Sequence, residues 1–212
     1  MRYVSLDLET SGPDPSRHQV LELAVVVEDT RRAATTPLAE LPAFRRALRH
    51  AELTGTAAAL ALNARLLTEL ADKANAEAPD ICRPDEVLAQ LREFLLANGF
   101  KLDKKNRVAF TMAGKNVGTF DLPFLRQLPG WGTLVKSEPT VLDPAAFYLN
   151  WHKDSRLPSM LICQARVGDA APHVAHEALA DALEVVRLLR PFYERPAYQV
   201  TDRKSTRLNS SH

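Results

Sequence analysis

The sequence predicts an α/β fold, a mixed sheet with helices on its faces, and three observations lead to it. The chain opens with two apolar, β-branched runs joined by a turn-rich linker. Amphipathic segments at helical spacing then alternate with further apolar runs, and the last long segment carries a wide apolar helical face. With 212 residues, 46% of them hydrophobic, the chain can bury one sizeable core, and its length favours one domain over two.

Taken in order, Arg2 to Leu8 and Gln19 to Glu28 read as an antiparallel strand pair across the linker SGPDPSRH. Ala43 to His50 follows Pro42 and alternates poorly, so it is an edge strand or a short helix. Ala61 to Ala74 and Asp85 to Ala97 repeat apolar residues at helical spacing, with Pro84 at an entry and Gly99 just past an exit. Arg107 to Ala113 reads as a buried strand, Phe120 to Leu128 as a short helix, and Val141 to Leu142 as the end of another strand. A last helix, Glu177 to Arg190, is expected to stop at Pro191, with Ala178, Leu179, Ala182, Val185, Val186, Leu188 and Leu189 on its apolar face.

The folded body is expected to span residues 1–201. Residues 202–212, DRKSTRLNSSH, match the in-frame translation of a common sequencing adapter and read as a non-native tail. That tail holds three of the 27 Lys and Arg and one of the 26 Asp and Glu, so the remaining chain is close to neutral, net −1. A near-neutral body cannot hold a polyanion by bulk charge, so nucleic-acid binding has to rest on local basic patches and bound cations. Cys82 and Cys163 lie far apart and form neither a zinc-ribbon spacing nor a disulfide framework. No run is apolar enough to cross a bilayer and no signal peptide opens the chain, so the expected compartment is the cytoplasm.

Three constellations carry chemistry. Asp7 and Glu9 stand two apart in the first strand and therefore point to one face. Paired carboxylates repel unless a cation neutralises them, and hard divalent metals take such oxygen ligands. Asp121 follows an apolar strand and precedes Pro123, at a strand-to-helix junction where it can also act as a helix N-cap. His176 and Asp181 open the last helix; five residues at ~100° each put them about 140° apart if both are helical, so His176 belongs to the helix entrance. Asp181 shares the side of Val185 and Leu188, a costly burial without a metal ion or a buried arginine as partner.

In order, D-x-E at the first strand, a middle Asp after Asn116 and H-x4-D in the last helix resemble the three exonuclease motifs of the DEDDh family, from Asp7 to Asp181. The sister DEDDy group has a tyrosine four residues before the last Asp, where this chain has Glu177, so the histidine branch fits. The middle segment, GKNVGTFDLPFL, is similar to that of bacterial stand-alone members.

The resemblance implies an RNase H-like three-layer α/β/α fold with a five-stranded mixed sheet, and 3′-5′ hydrolysis to nucleoside 5′-monophosphates. It implies two Mg2+ or Mn2+ ions, with Asp7 bridging both, Glu9 and Asp181 completing one site and Asp121 supporting the other. His176 is the implied general base, a task suited to an imidazole, which exchanges protons near neutral pH. Leu8 and Thr10 fall where family members contact the terminal nucleotide. Phe120 and Phe124 either stack on a base or pack in the core, and Asn116 either orients a phosphate or caps a turn.

Two basic clusters, Lys101 with Lys104, Lys105 and Arg107, and Arg45 with Arg46 and Arg49, could track a phosphate backbone or be solvated faces. His18, His50, His152 and His173 have no such context and read as surface residues. The expected partner is the 3′ end of single-stranded DNA or RNA, with a polymerase or a second copy of the chain as further partners. A non-catalytic nucleic-acid-binding or polymerase-docking module on the same fold is the alternative, whereas a metal-independent phosphatase or transferase has no nucleophile motif here.

Overall fold

Runs of β-branched and apolar residues at the start of the chain form β1 (Arg2–Thr10) and β2 (Val20–Asp29), an antiparallel pair as expected. The computed structural model describes residues 1–75, 78–172 and 175–194; the tail at 202–212 and His173 lie outside them. β2 continues antiparallel into β3 (Ala43–Leu48), which settles the strand-or-helix ambiguity of that segment. β5 (Val108–Ala113) lies parallel to β1, and β6 (Val135–Leu142) parallel to β5. A two-residue strand, β4 (Ile81–Cys82), pairs parallel with β3 at the other edge.

Among the described residues the sheet therefore has six strands in the order β4-β3-β2-β1-β5-β6, where five were expected. The extra strand is too short to leave a periodic signal in the sequence. Most of β6 was hidden for a different reason: Pro139 and the polar KSE run interrupt its pattern, and an edge strand tolerates proline because its outer N–H groups need no partner.

Alternation along the strands puts helices on both faces. Val4, Leu6 and Leu8 of β1, with Leu23, Val25 and Val27 of β2, pack beneath α3 (Val87–Ala97) and α4 (Asp121–Leu125) in the larger core. Tyr3 and Val26 face α7 (Ala178–Glu194) on the other side, where α2 (Ala64–Ala71) covers Leu21 and Ala47. The expected helix over 61–74 is in fact two, α1 (Ala57–Leu62) and α2, broken at Asn63. α5 (Pro144–Phe147) and α6 (Met160–Val167), not foreseen, pack Ala145 and Cys163 against Leu188 of α7. Both cysteines are free and buried. Among the described residues no helix is long and apolar enough to cross a membrane.

α7 sits close to the sheet because the residues between them are small. Ala178 and Ala182 are fully buried, and the Ser5 hydroxyl donates to the Ala182 carbonyl at 2.7 Å. Further along, Arg190 donates to the buried Glu28 carboxylate at 2.8 Å, and the Tyr193 hydroxyl lies 3.1 Å from that of Tyr3. Those contacts hold the final turn, so the helix runs through Pro191 to Glu194 instead of stopping there, losing one ladder bond to the Arg187 carbonyl. Gly114, at the end of β5, lets the chain pass β1 tightly: a Cβ there would meet the Leu6 carbonyl oxygen at 2.7 Å.

The Arg190–Glu28 pair is buried on both sides, with side chains 11% and 1% exposed. Arg190→Met leaves Glu28 buried without its cation and is expected to cost about 3–5 kcal/mol. Urea denaturation checks this, and an unchanged midpoint would sink the view that this pair anchors α7.

Candidate metal centre

Asp7 and Glu9 occupy the face of β1 that also carries Tyr3 and Ser5, the face on which α7 lies. Asp7 stands opposite Ala24 and Glu9 opposite Glu22 in the β1–β2 register. Because Ala178 and Ala182 let α7 approach, Asp181 reaches the same spot from the helix's first turn. Carboxylate oxygens of Asp7, Glu9 and Asp181 lie within 4.8 Å of one another. Asp121 opens α4 on the other side of β1 as its first residue and not as the N-cap, which is Phe120. Its carboxylate turns back to accept the Leu8 N–H at 3.1 Å, which ties the start of α4 to β1 between the two acids of the D-x-E pair.

Burial and mutual repulsion act together on these groups. Asp7 is held well above the usual carboxylate range by desolvation and then by the charges of Asp121, Asp181 and Glu9. Desolvation, reinforced by Glu22 and Asp181, raises Glu9 to about 7. Asp121, 3% exposed, is raised by burial to about 7 even though the Leu8 amide pulls it down. Asp181 is raised by burial, offset in part by the backbone amides of Ala175 and His176 and by the nearby imidazole.

Other acids on the same face are treated differently. Glu22 is paired with Arg45 and receives the Ala178 amide; Glu28 is paired with Arg190. Among the described residues, Asp7, Glu9, Asp121 and Asp181 have no arginine or lysine partner. An oxygen-only set of buried, repelling carboxylates suits a hard divalent cation, so these residues fit Mg2+ or Mn2+.

His176 stands just outside α7, as its spacing required, and is exposed. Its φ of +51° is left-handed, a conformation that costs a non-glycine residue about 1–3 kcal/mol and tends to persist at functional sites. It shares a cleft with Glu9, Glu22, Asn63 and Arg65. Asn63 and Arg65 were not foreseen. Asn63, buried at the break between α1 and α2, donates to the Thr10 carbonyl at 3.3 Å and also hydrogen-bonds Glu9. Arg65 of α2 meets Glu177, beside His176, at 2.9 Å across the cleft, but both side chains are exposed and the bridge is worth little. Glu22, an acid set among the apolar residues of β2, was a further sign of this cleft in the sequence, beside Glu9 and His176.

The expected substrate contacts divide. Leu8 is packed in the core and its amide is taken by Asp121. Thr10 is 7% exposed and its hydroxyl donates to the Gly12 carbonyl at 3.0 Å, which leaves little of it to reach a nucleotide. Phe124 is 1% exposed and sits in the core, so it offers no face to a base, whereas Phe120, 5.4 Å away between ring centroids, stays exposed. Asn116 is exposed, with φ +58°; its amide donates to Asp143 at 2.9 Å.

The Arg45 cluster is structural. Arg45 pairs with Glu22, Glu69 and Asp80, Arg46 donates to Gln90 and lies over Phe44, and Arg49 donates to the Leu70 and Asn75 carbonyls. In the other cluster Arg107 pairs with Asp103, while Lys101, Lys104 and Lys105 remain exposed. His50 and His18 are half-buried and hydrogen-bonded, to the Val20 carbonyl and the Asp14 amide, so they are not the surface residues expected.

No family model and no curated protein matches the chain.

Glu9 and Asp121 titrate near 7 when folded but from 4.5 and 3.8 as free groups, so the folded chain binds more protons between those values. In chelator, stability therefore falls as pH rises through roughly 4 to 7, and the loss is complete above the folded values. Thermal melts at pH 5.5 and 7.5 should show Asp7→Asn gaining on the unsubstituted chain at the higher pH, and magnesium stabilising the unsubstituted chain more there. A difference between the two chains that does not vary with pH would contradict the electrostatic reading.

Proposed function

We propose that the chain is a metal-dependent 3′-5′ exonuclease of the DEDDh type on an RNase H-like three-layer fold, acting on single-stranded DNA or short RNA. One observation carries this reading. Carboxylate oxygens of Asp7, Glu9 and Asp181 lie within 4.8 Å of one another, with Asp121 near enough to act on Asp7, and among the described residues none of the four has an arginine or lysine partner, while Glu22 and Glu28 each have an arginine. The mixed α/β sheet with helices on both faces supports the fold assignment.

Asp7, Glu9 and Asp181 would hold divalent cations, with Asp121 completing the set from the α4 side. Bound there, such ions stabilise charge on the attacking and leaving oxygens of an in-line phosphoryl displacement. His176, exposed at the cleft mouth, takes the proton of the attacking water. The water oxygen bonds to phosphorus, the P–O3′ bond breaks, and the departing 3′ oxygen is protonated. The products are a nucleoside 5′-monophosphate and a strand shortened by one.

Incubation with 5′-labelled single-stranded DNA and RNA in magnesium, manganese or chelator tests this directly. A ladder shortening from the 3′ end, abolished by chelator and by Asp7→Ala, is the expected outcome, and the preferred sugar defines the substrate. No cleavage in any condition would favour the binding-module reading instead. His176→Ala should keep metal-dependent stabilisation and lose about 10²–10⁴-fold in turnover; unchanged turnover would remove His176 from the mechanism.

A further inference from the structure

We infer that the groove lined by Lys115, Asn116, Lys153, Arg156 and the start of α6 binds the phosphate backbone of a single strand upstream of the 3′ nucleotide in the acidic site. This inference rests on the proposed exonuclease reading and extends it to how the rest of the strand is held.

The groove, about 660 Å³, runs beside the segment that leads to Asp121. Asn116 accepts from the Thr119 and Phe120 amides, so this turn carries the groove wall straight into exposed Phe120 and the first residue of α4. Three cations line the groove against one carboxylate, Asp154, which Arg166 already neutralises and holds at about 2 through its hydrogen bonds. Lys115 leans on Asp143 at 3.7 Å, but Lys153 and Arg156 are exposed, and their side chains have no partner among the described residues. Cations without an internal partner keep their full capacity for phosphate.

The cleft beside Glu9 and His176, which takes the strand end, offers few free cations to the rest of the backbone. It carries Glu9, Glu22, Glu69 and Glu177 against Arg45 and Arg65, and Arg45 is committed to three acids. A polyanion whose end sits at Asp7 therefore leaves toward the basic groove. Trp151, 84% exposed in the same turn as Lys153, offers a base a stacking face there.

The test compares the unsubstituted chain with Lys153→Ala/Arg156→Ala on two substrates. The p-nitrophenyl ester of thymidine 5′-monophosphate reaches only the acidic site, whereas a single-stranded decamer also spans the groove. The double variant should hydrolyse the ester at the unsubstituted rate, show KM for the decamer raised about tenfold or more, and lose roughly 1.4 from the slope of log KM against log salt. An unaltered KM and salt slope for the decamer would overturn the groove assignment. If the unsubstituted chain fails on the ester, the exonuclease reading falls by itself. Anisotropy of a labelled decamer then still decides the groove: weaker binding by the variant supports it, equal binding refutes it.

Discussion

The constraint on which this structure depends is the desolvation of like charges. Burial raises the cost of ionising Asp7, Glu9, Asp121 and Asp181, and at Asp7 the charges of the other three raise it further. Such a cluster survives only on a scaffold that over-determines its position, because repulsion would otherwise drive the elements apart. Three features outside the cluster supply that hold. Ser5 and the alanines of α7 close the helix onto β1, Arg190 and Tyr193 fasten its far end through Glu28 and Tyr3, and Asp121 is tied to the Leu8 amide. The acids with structural jobs, Glu22 and Glu28, are neutralised within the fold, so the lack of a basic partner separates the two kinds of acid on one sheet.

Much of this was legible in the sequence wherever the signal is local. The strand pair, the amphipathic α3 and α7, and the shared face of Asp7 and Glu9 follow from periodicity alone. The position of His176 outside the helix follows from the angle to Asp181. The misses arise where the structure is set by pairing at a distance. β4 is two residues long and exists only because β3 is beside it, and β6 holds Pro139 because its outer edge is free. Arg45, Arg46 and Arg49 looked like one patch, yet neighbouring residues of a strand point to opposite faces. Arg45 goes to Glu22 on one side and Arg46 to Gln90 on the other, so no patch forms. Lys153 and Arg156 carried no motif, and only the fold brings them beside Asn116.

The net charge, near zero, conceals a polarity that is local. The cleft that holds Glu9 and His176 is rich in acids, whereas the groove beside Asn116 is rich in cations. Bulk attraction to a polyanion is weak in such a molecule, so the proposed binding of a strand would rest on short-ranged, salt-sensitive contacts.

His176 and Asp181 are coupled more closely than their separate roles suggest. The Asp181 carboxylate receives the backbone amides of Ala175 and His176, the residues whose conformation aims the imidazole at the cleft. The Arg65–Glu177 bridge is too exposed to hold a left-handed residue in place by itself. The carboxylate that would ligate a cation therefore also organises the backbone of the candidate base. Removing Asp181 would take away a ligand and release the strained turn together, so substitutions at these two positions cannot be additive.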